Sequence, residues 1–248
     1  MTSASAAASP AGPRPTSPPR RAHVICLLLF LAQPAGVHAA DRPYLTLSSA
    51  AAEEDDDQVG SLQTVVRADR LVRSQAVSAE YAFDPLRSVQ LEFTRQRASG
   101  QTRLQAELEY KQLFNHIARD GWAWGLSVSL GADRGPGQAW HGGSWGAVLP
   151  LSLQLGEAVA TAHLNLGLVR ERLERRQALA AVGIEGLVAR RTLLFAEASG
   201  LGQERLLHAG LRYWIRRDRL ALDVSVTRRR ADGEWVRGWL LGLAWYDL

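Results

Sequence analysis

The chain is poor in the groups most chemistry depends on. Its one cysteine, Cys26, sits inside a short apolar run near the start, so everything after it lacks a thiol. That excludes a disulfide, a cysteine-ligated metal and a cysteine nucleophile. No phosphate-binding loop, dinucleotide fingerprint or metal-ligand spacing occurs either, and we expect no catalytic, cofactor-binding or metal-binding residue. The apolar run itself, Val24 to Ala32, is too short to cross a membrane as a helix. An excess of one charge is missing as well. Three of the 29 basic residues, Arg14, Arg20 and Arg21, precede that run, where no acid occurs; without them 26 bases face 25 acids and the formal charge falls from +4 to +1. The remaining basic residues alternate with acids or fall in turns, which excludes the one-signed stripe a nucleic-acid partner needs.

What is present begins with processing information. Basic residues followed by the run V-I-C-L-L-L-F-L-A form a secretory signal, and Val37-His38-Ala39 supplies the small residues of a cleavage site, so we expect residues 1–39 to be removed. Arg20-Arg21 also raises a twin-arginine signal, which its surroundings fit poorly. His23-Val24-Ile25 before the cysteine excludes a lipoprotein signal. Residues 40–60 carry the acidic run Glu53 to Asp57 and read as a disordered periplasmic leader, with a plug or partner-docking arm as the alternative.

From residue 61 to 248 the pattern is that of strands. Trp122, Trp124, Leu126, Val128 and Leu130 alternate with Ala123, Gly125, Ser127 and Ser129, and similar segments recur to the last residue. We expect twelve: Ser61 to Arg67, Arg73 to Phe83, Ser88 to Thr94, Arg103 to Lys111, Trp122 to Gly131, Trp145 to Leu155, Ala158 to Val169, Gln177 to Ile184, Thr192 to Ser199, Glu204 to Ile215, Leu220 to Arg228 and Trp235 to Leu248. Arg170 to Arg191 is the one stretch that also fits a short amphipathic helix. A closed antiparallel barrel in an outer membrane keeps both termini on one side, with short periplasmic turns. A periplasmic C-terminus makes Arg216 to Arg219, Gly156-Glu157 and Asp84-Pro85-Leu86 such turns, puts Ala132 to Ser144 outside, and leaves Gln112 to Gly121 as a long periplasmic connection. Parity then requires twelve strands, or ten if the first and eighth, the weakest, fail to form.

Alternation alone does not say which face meets lipid. The polar phase is small or charged, and Tyr81, Tyr110, Trp122 and Tyr213 all fall on the apolar phase near the periplasmic interface, where an aromatic belt belongs. The tail W-L-L-G-L-A-W-Y-D-L resembles the terminal strand that outer-membrane barrels present to their assembly machinery, with Tyr246 third from the end, although Leu248 replaces the usual terminal aromatic and Trp239 and Trp245 fall on the other phase, which implies a bulge. We therefore read an all-β, antiparallel transmembrane barrel in the cell outer membrane, with outer-membrane lipids and the assembly machinery as partners and no nucleic acid.

Barrel lipases and deacylases carry a His-x-Ser pair on one strand, because the serine needs a base within hydrogen-bond reach. None of the six histidines here is followed by x-Ser, and His163-Leu164-Asn165 has an amide where the nucleophile should be. The functional material left is the lumen: Glu107, Glu109, His163, Asn165, Glu197, His208, Arg212 and Asp223. If Ile215 pairs with Leu220, then Arg212 faces Asp223 and His208 faces Thr227, while Glu107 and Glu109 reach basic residues across the lumen. The layout of signal, acidic leader and a dozen short strands resembles outer-membrane barrels encoded beside aromatic-degradation pathways. That resemblance implies a small channel or transporter-like protein for small, hydrophobic molecules. A structural or adhesive barrel binding a surface partner through loops such as Ala132 to Ser144 is the alternative, and a barrel lipid hydrolase the third.

Overall fold

The structure, a computed structural model, describes residues 44–50, 59–156, 159–171, 175–217, 219–231 and 233–246. The expected signal, its cleavage site and the acidic run at 53–57 lie outside the described residues. Twelve strands follow one another: β1 (Val59–Asp69), β2 (Val72–Asp84), β3 (Arg87–Ala98), β4 (Gln101–Leu113), then the short helix α1 (Ile117–Asp120), β5 (Trp122–Arg134), β6 (His141–Leu155), β7 (Ala160–Arg170), β8 (Gln177–Ala189), β9 (Thr192–Leu201), β10 (Glu204–Arg216), β11 (Leu220–Ala231) and β12 (Glu234–Tyr246). Each pairs antiparallel with its neighbours, and β1 closes on β12 from Ser61↔Tyr246 to Asp69↔Gly238, which leaves no free edge. Closure satisfies every strand's backbone groups within the sheet, the condition for crossing a lipid bilayer with strands.

The alternation seen in the sequence becomes two faces. Leu91, Phe93, Val128, Leu130, Leu166, Val226 and Leu241 project outward and are exposed, while Ser78, Ser127, Ser152, Thr161, Ser225 and Thr227 turn inward and are buried. This inversion, apolar outside and polar within, is the arrangement of a barrel solvated by lipid. One end carries residues 85–86, α1, 156 and 159, 190–191, 217 and 219 together with the start of β1 and the end of β12; the other carries residues 70–71, 99–100, 135–140, 171 and 175–176, 202–203 and 233. Ser99 and Gly100 both take positive φ (48° and 80°), as a two-residue hairpin requires.

Gln177–Ala189 forms β8, the strand expected there rather than the helix that also fitted. Two expectations change. The long connection from Gln112 to Gly121 is not an open loop: β4 continues to Leu113, and α1 is capped by His116 at its start and by Gly121, with φ 75°, at its end. Asn115 braces it, its amide donating to the Trp122 carbonyl at 2.7 Å and its oxygen accepting from Trp124 N–H at 3.0 Å. The Arg119 guanidinium on Asp120 holds that carboxyl down at about 2. Finally, β12 has no bulge. Its register is continuous with both β11 and β1, so Trp239, Leu241, Leu243 and Trp245 face outward and Tyr246 faces inward. The phase that looked broken is the correct lipid-facing one, and Tyr246 belongs to the lumen.

Candidate functional site in the barrel lumen

Register decides which inward side chains meet. Arg212 on β10 stands opposite Asp223 on β11, and His208 opposite Thr227, as expected, although Arg216 rather than Ile215 pairs with Leu220 because the sheet is irregular between Trp214 and Arg216. Arg212 grips Asp223 with both prongs, Nε to Oδ1 at 2.7 Å and Nη2 to Oδ2 at 2.8 Å, and its Nη1 donates to the Tyr246 hydroxyl. The rings of Trp214 and Tyr246 lie 5.6 and 5.7 Å from the guanidinium carbon. With Arg212 at 1 % exposure and Asp223 at 0 %, this is a desolvated, bidentate pair.

Beside it run two lines of the same composition. On β6, β7 and β8, Ser152 Oγ meets His163 Nδ1 at 2.8 Å, and His163 Nε2 lies 3.8 Å from Glu185 Oε1. On β11, β10 and β9, Ser225 Oγ meets His208 Nε2 at 2.8 Å while His208 Nδ1 meets Glu197 Oε2 at 3.1 Å. Glu197, His163 and His208 were expected in the lumen; Ser152, Glu185 and Ser225 were missed. A sequence shows a serine two residues from a histidine on one strand, whereas these serines come from neighbouring strands and meet their histidines only through the register. All six side chains are buried.

What covers them is residues 44–50. As a sequence these residues belong to a leader outside the barrel; in the structure they lie along its inner wall. Tyr44 donates to Glu185 at 3.2 Å, and the backbone N–H groups of Leu45 and Thr46 donate to the two oxygens of Glu197 at 3.0 and 2.8 Å, joined by the Thr46 hydroxyl. The Ala50 N–H donates to Ser152 Oγ at 3.0 Å. The Tyr44 ring meets His163 and Phe195 edge-on, with centroids 5.5 and 5.8 Å apart. Gly183 makes room: a Cβ there would come within 2.3 Å of Leu47 Cδ1. Buried backbone donors need acceptors, and the two carboxylates on the wall provide them.

The opposite half of the lumen is open. A cavity of about 540 Å³ lies between residues 44–49 and the inner faces of β1 to β5, lined by Gln63, Ser74, Gln90, Thr94, Gln105, Ser127 and the carboxylates Glu92, Glu107 and Glu109. Among the described residues neither Glu107 nor Glu109 forms the expected ion pair with a basic residue across the lumen: Lys111 pairs with Glu80 at 3.6 Å, and Glu107 stands opposite Glu92. Asn165 closes the far side of the cavity. It is fully buried, and neither its Oδ1 nor its Nδ2 has a partner among the described residues. Tyr81, Tyr110, Trp122 and Tyr213 project from the outer face at the end that carries α1, apart from this lumen.

Residues 31–241 match the sequence profile of a family described as Uncharacterised conserved protein UCP029691. The chain belongs to that family. None of the curated proteins matches it by sequence. Among solved structures it is similar to a KdgM porin in complex with disordered oligogalacturonate (TM-score 0.59, 9% identity, 75% of this chain and 98% of that one). It is also similar to a NanC porin (TM-score 0.52, 7% identity, 75% and 98%) and to LpxR from Salmonella typhimurium (TM-score 0.52, 10% identity, 75% and 99%). At such identities the likeness is one of fold. This member of the family is a twelve-stranded barrel of the outer-membrane kind.

Proposed function

We propose that the exported chain is a small outer-membrane channel that binds or passes small polar solutes, with residues 44–50 constricting its lumen. The observation that carries this reading is the polar cavity of about 540 Å³ with Asn165 unpaired on its wall, since a buried amide with four free hydrogen-bonding positions calls for water or a solute. A lining of glutamine, serine, threonine and glutamate favours polar solutes over the hydrophobic ones that the layout of the sequence implies. The barrel's likeness to two porins supports placing it in the outer membrane, as does the signal expected at residues 1–39, with the assembly machinery and lipids as proposed partners. The rim opposite α1 has connections of six residues at most, which leaves little material for the adhesive alternative.

Single-channel recording tests the proposal. The mature chain should conduct weakly in planar bilayers, and a variant lacking residues 44–50 should conduct more. Two silent proteins, both correctly folded, would contradict it. The two Ser–His–Glu lines give the hydrolase reading a specific footing, yet Ser152 and Ser225 are enclosed and Ser152 already accepts from Ala50. Ester or phospholipid turnover by the variant without residues 44–50, abolished by Ser152→Ala, would favour that reading; no turnover would close it.

A further inference from the structure

All but one of the chain's 29 basic residues are arginine, Lys111 being the exception. In the sequence these arginines look dispersed among acids; the barrel gathers many of them at one end. On the outward face of β10 to β3, near the rim opposite α1, Arg205 stands directly across from Arg230, Arg228 from Arg237, and Arg73 from Arg97. Like charges facing each other across neighbouring strands destabilise a sheet. Here the arrangement occurs three times, and none of these six residues, nor Arg95 beside them, forms an ion pair among the described residues. The carboxylates of that rim are engaged elsewhere: Asp69 with Arg67 and Arg229, Glu234 with Arg70, and Glu204 with Arg229.

The surroundings indicate what would neutralise them. A groove of about 760 Å³ opens on this face, lined by Arg70, Arg73, Arg95, Arg97 and Arg237, by Asp69, whose charge Arg67 and Arg229 take up, and by the apolar Val66 and Trp239. It is continuous with the outward apolar belt, where Val77, Phe93, Leu241 and Leu243 are exposed. An occupant must therefore carry anionic groups at the height of the rim and hydrocarbon below it. Guanidinium forks match phosphate oxygens in pairs, which a lysine ammonium does not do.

We propose that this arginine band is a binding site for a phosphorylated lipid headgroup of the leaflet on the rim side, the acyl chains lying along the apolar belt and the phosphates bridging the facing arginine pairs. The proposal rests on the outer-membrane reading above. The folded protein in neutral detergent is offered bis-phosphorylated lipid A together with its dephosphorylated form, and retained lipid is read by native mass spectrometry. Wild type should retain the phosphorylated form preferentially, and the variant Arg73→Gln/Arg97→Gln/Arg228→Gln/Arg237→Gln should lose that preference by on the order of tenfold or more. Equal retention of the two lipids by wild type, which needs no variant to fold, would overturn the proposal. So would an unchanged preference in the folded variant. Because the assay uses micelles, failure of the protein to insert into bilayers would count against the membrane reading alone and leave the phosphate preference standing.

Discussion

Arg212 shows how the lumen can hold charge without water. Its guanidinium is packed beside the neighbouring rings of Trp214 and Tyr246 and paired in the plane with Asp223, so removing one member leaves the other buried and uncompensated. Arg212→Ala should cost about 3–5 kcal/mol on this account, and markedly less when Asp223→Ala is already present. A double-mutant cycle on urea unfolding in micelles, followed by tryptophan fluorescence, checks it; additive losses would mean that the two side chains are not coupled. The pair was legible in the sequence because one turn sets the register of β10 against β11. Ser152 with His163, and Ser225 with His208, were not, because neither serine shares a strand with its histidine. The bulge expected in β12 is absent for a related reason: a tail of W-L-L-G-L-A-W-Y has large apolar residues on both phases, and only pairing with β1 and β11 separates them.

At the scale of elements, alternation carried nearly all the information. A strand between lipid and a polar lumen must switch character at every residue, so eleven of the twelve starts fall close to where the pattern places them, and β8 extends to Ala189, beyond where its alternation fades. What alternation does not encode is structure held by distant partners. Residues 44–50 are ordered by Glu185, Glu197 and Ser152, more than a hundred positions away, and nothing within the segment announces that. The two faces make a direct prediction. Val128→Arg and Val226→Arg, near the middle of β5 and β11 and facing outward, should each cost roughly 2–4 kcal/mol in a bilayer. Gln105→Arg, which faces the cavity, should fold with little loss. Refolding yield into vesicles reads the difference, and equal yields for both kinds of variant would reverse the assignment of faces.

The whole molecule is a closed barrel divided along its length: one half of the lumen filled by residues 44–50 and a buried polar network, the other half open and lined with amides, hydroxyls and carboxylates. Its outside carries an apolar belt and, above it, a band of facing arginines that form no ion pair among the described residues. The barrel as a whole was readable from parity, because twelve strands return the chain to the side on which it began. The arginine band was not, since it draws on separate strands whose alignment the sequence does not state. The central claim is that the outward apolar face meets lipid and the inward polar face meets water. The sequence after residue 39 has no cysteine, so in a chain that starts there single cysteines at Phe93, Val128 and Val226, and at Gln90 and Gln105, can be spin-labelled without background. In vesicles, labels at the first three should relax with lipid-soluble oxygen and be shielded from an aqueous nickel complex, and labels at the last two should do the reverse. Labels at Phe93, Val128 and Val226 that respond to nickel and not to oxygen would contradict the account.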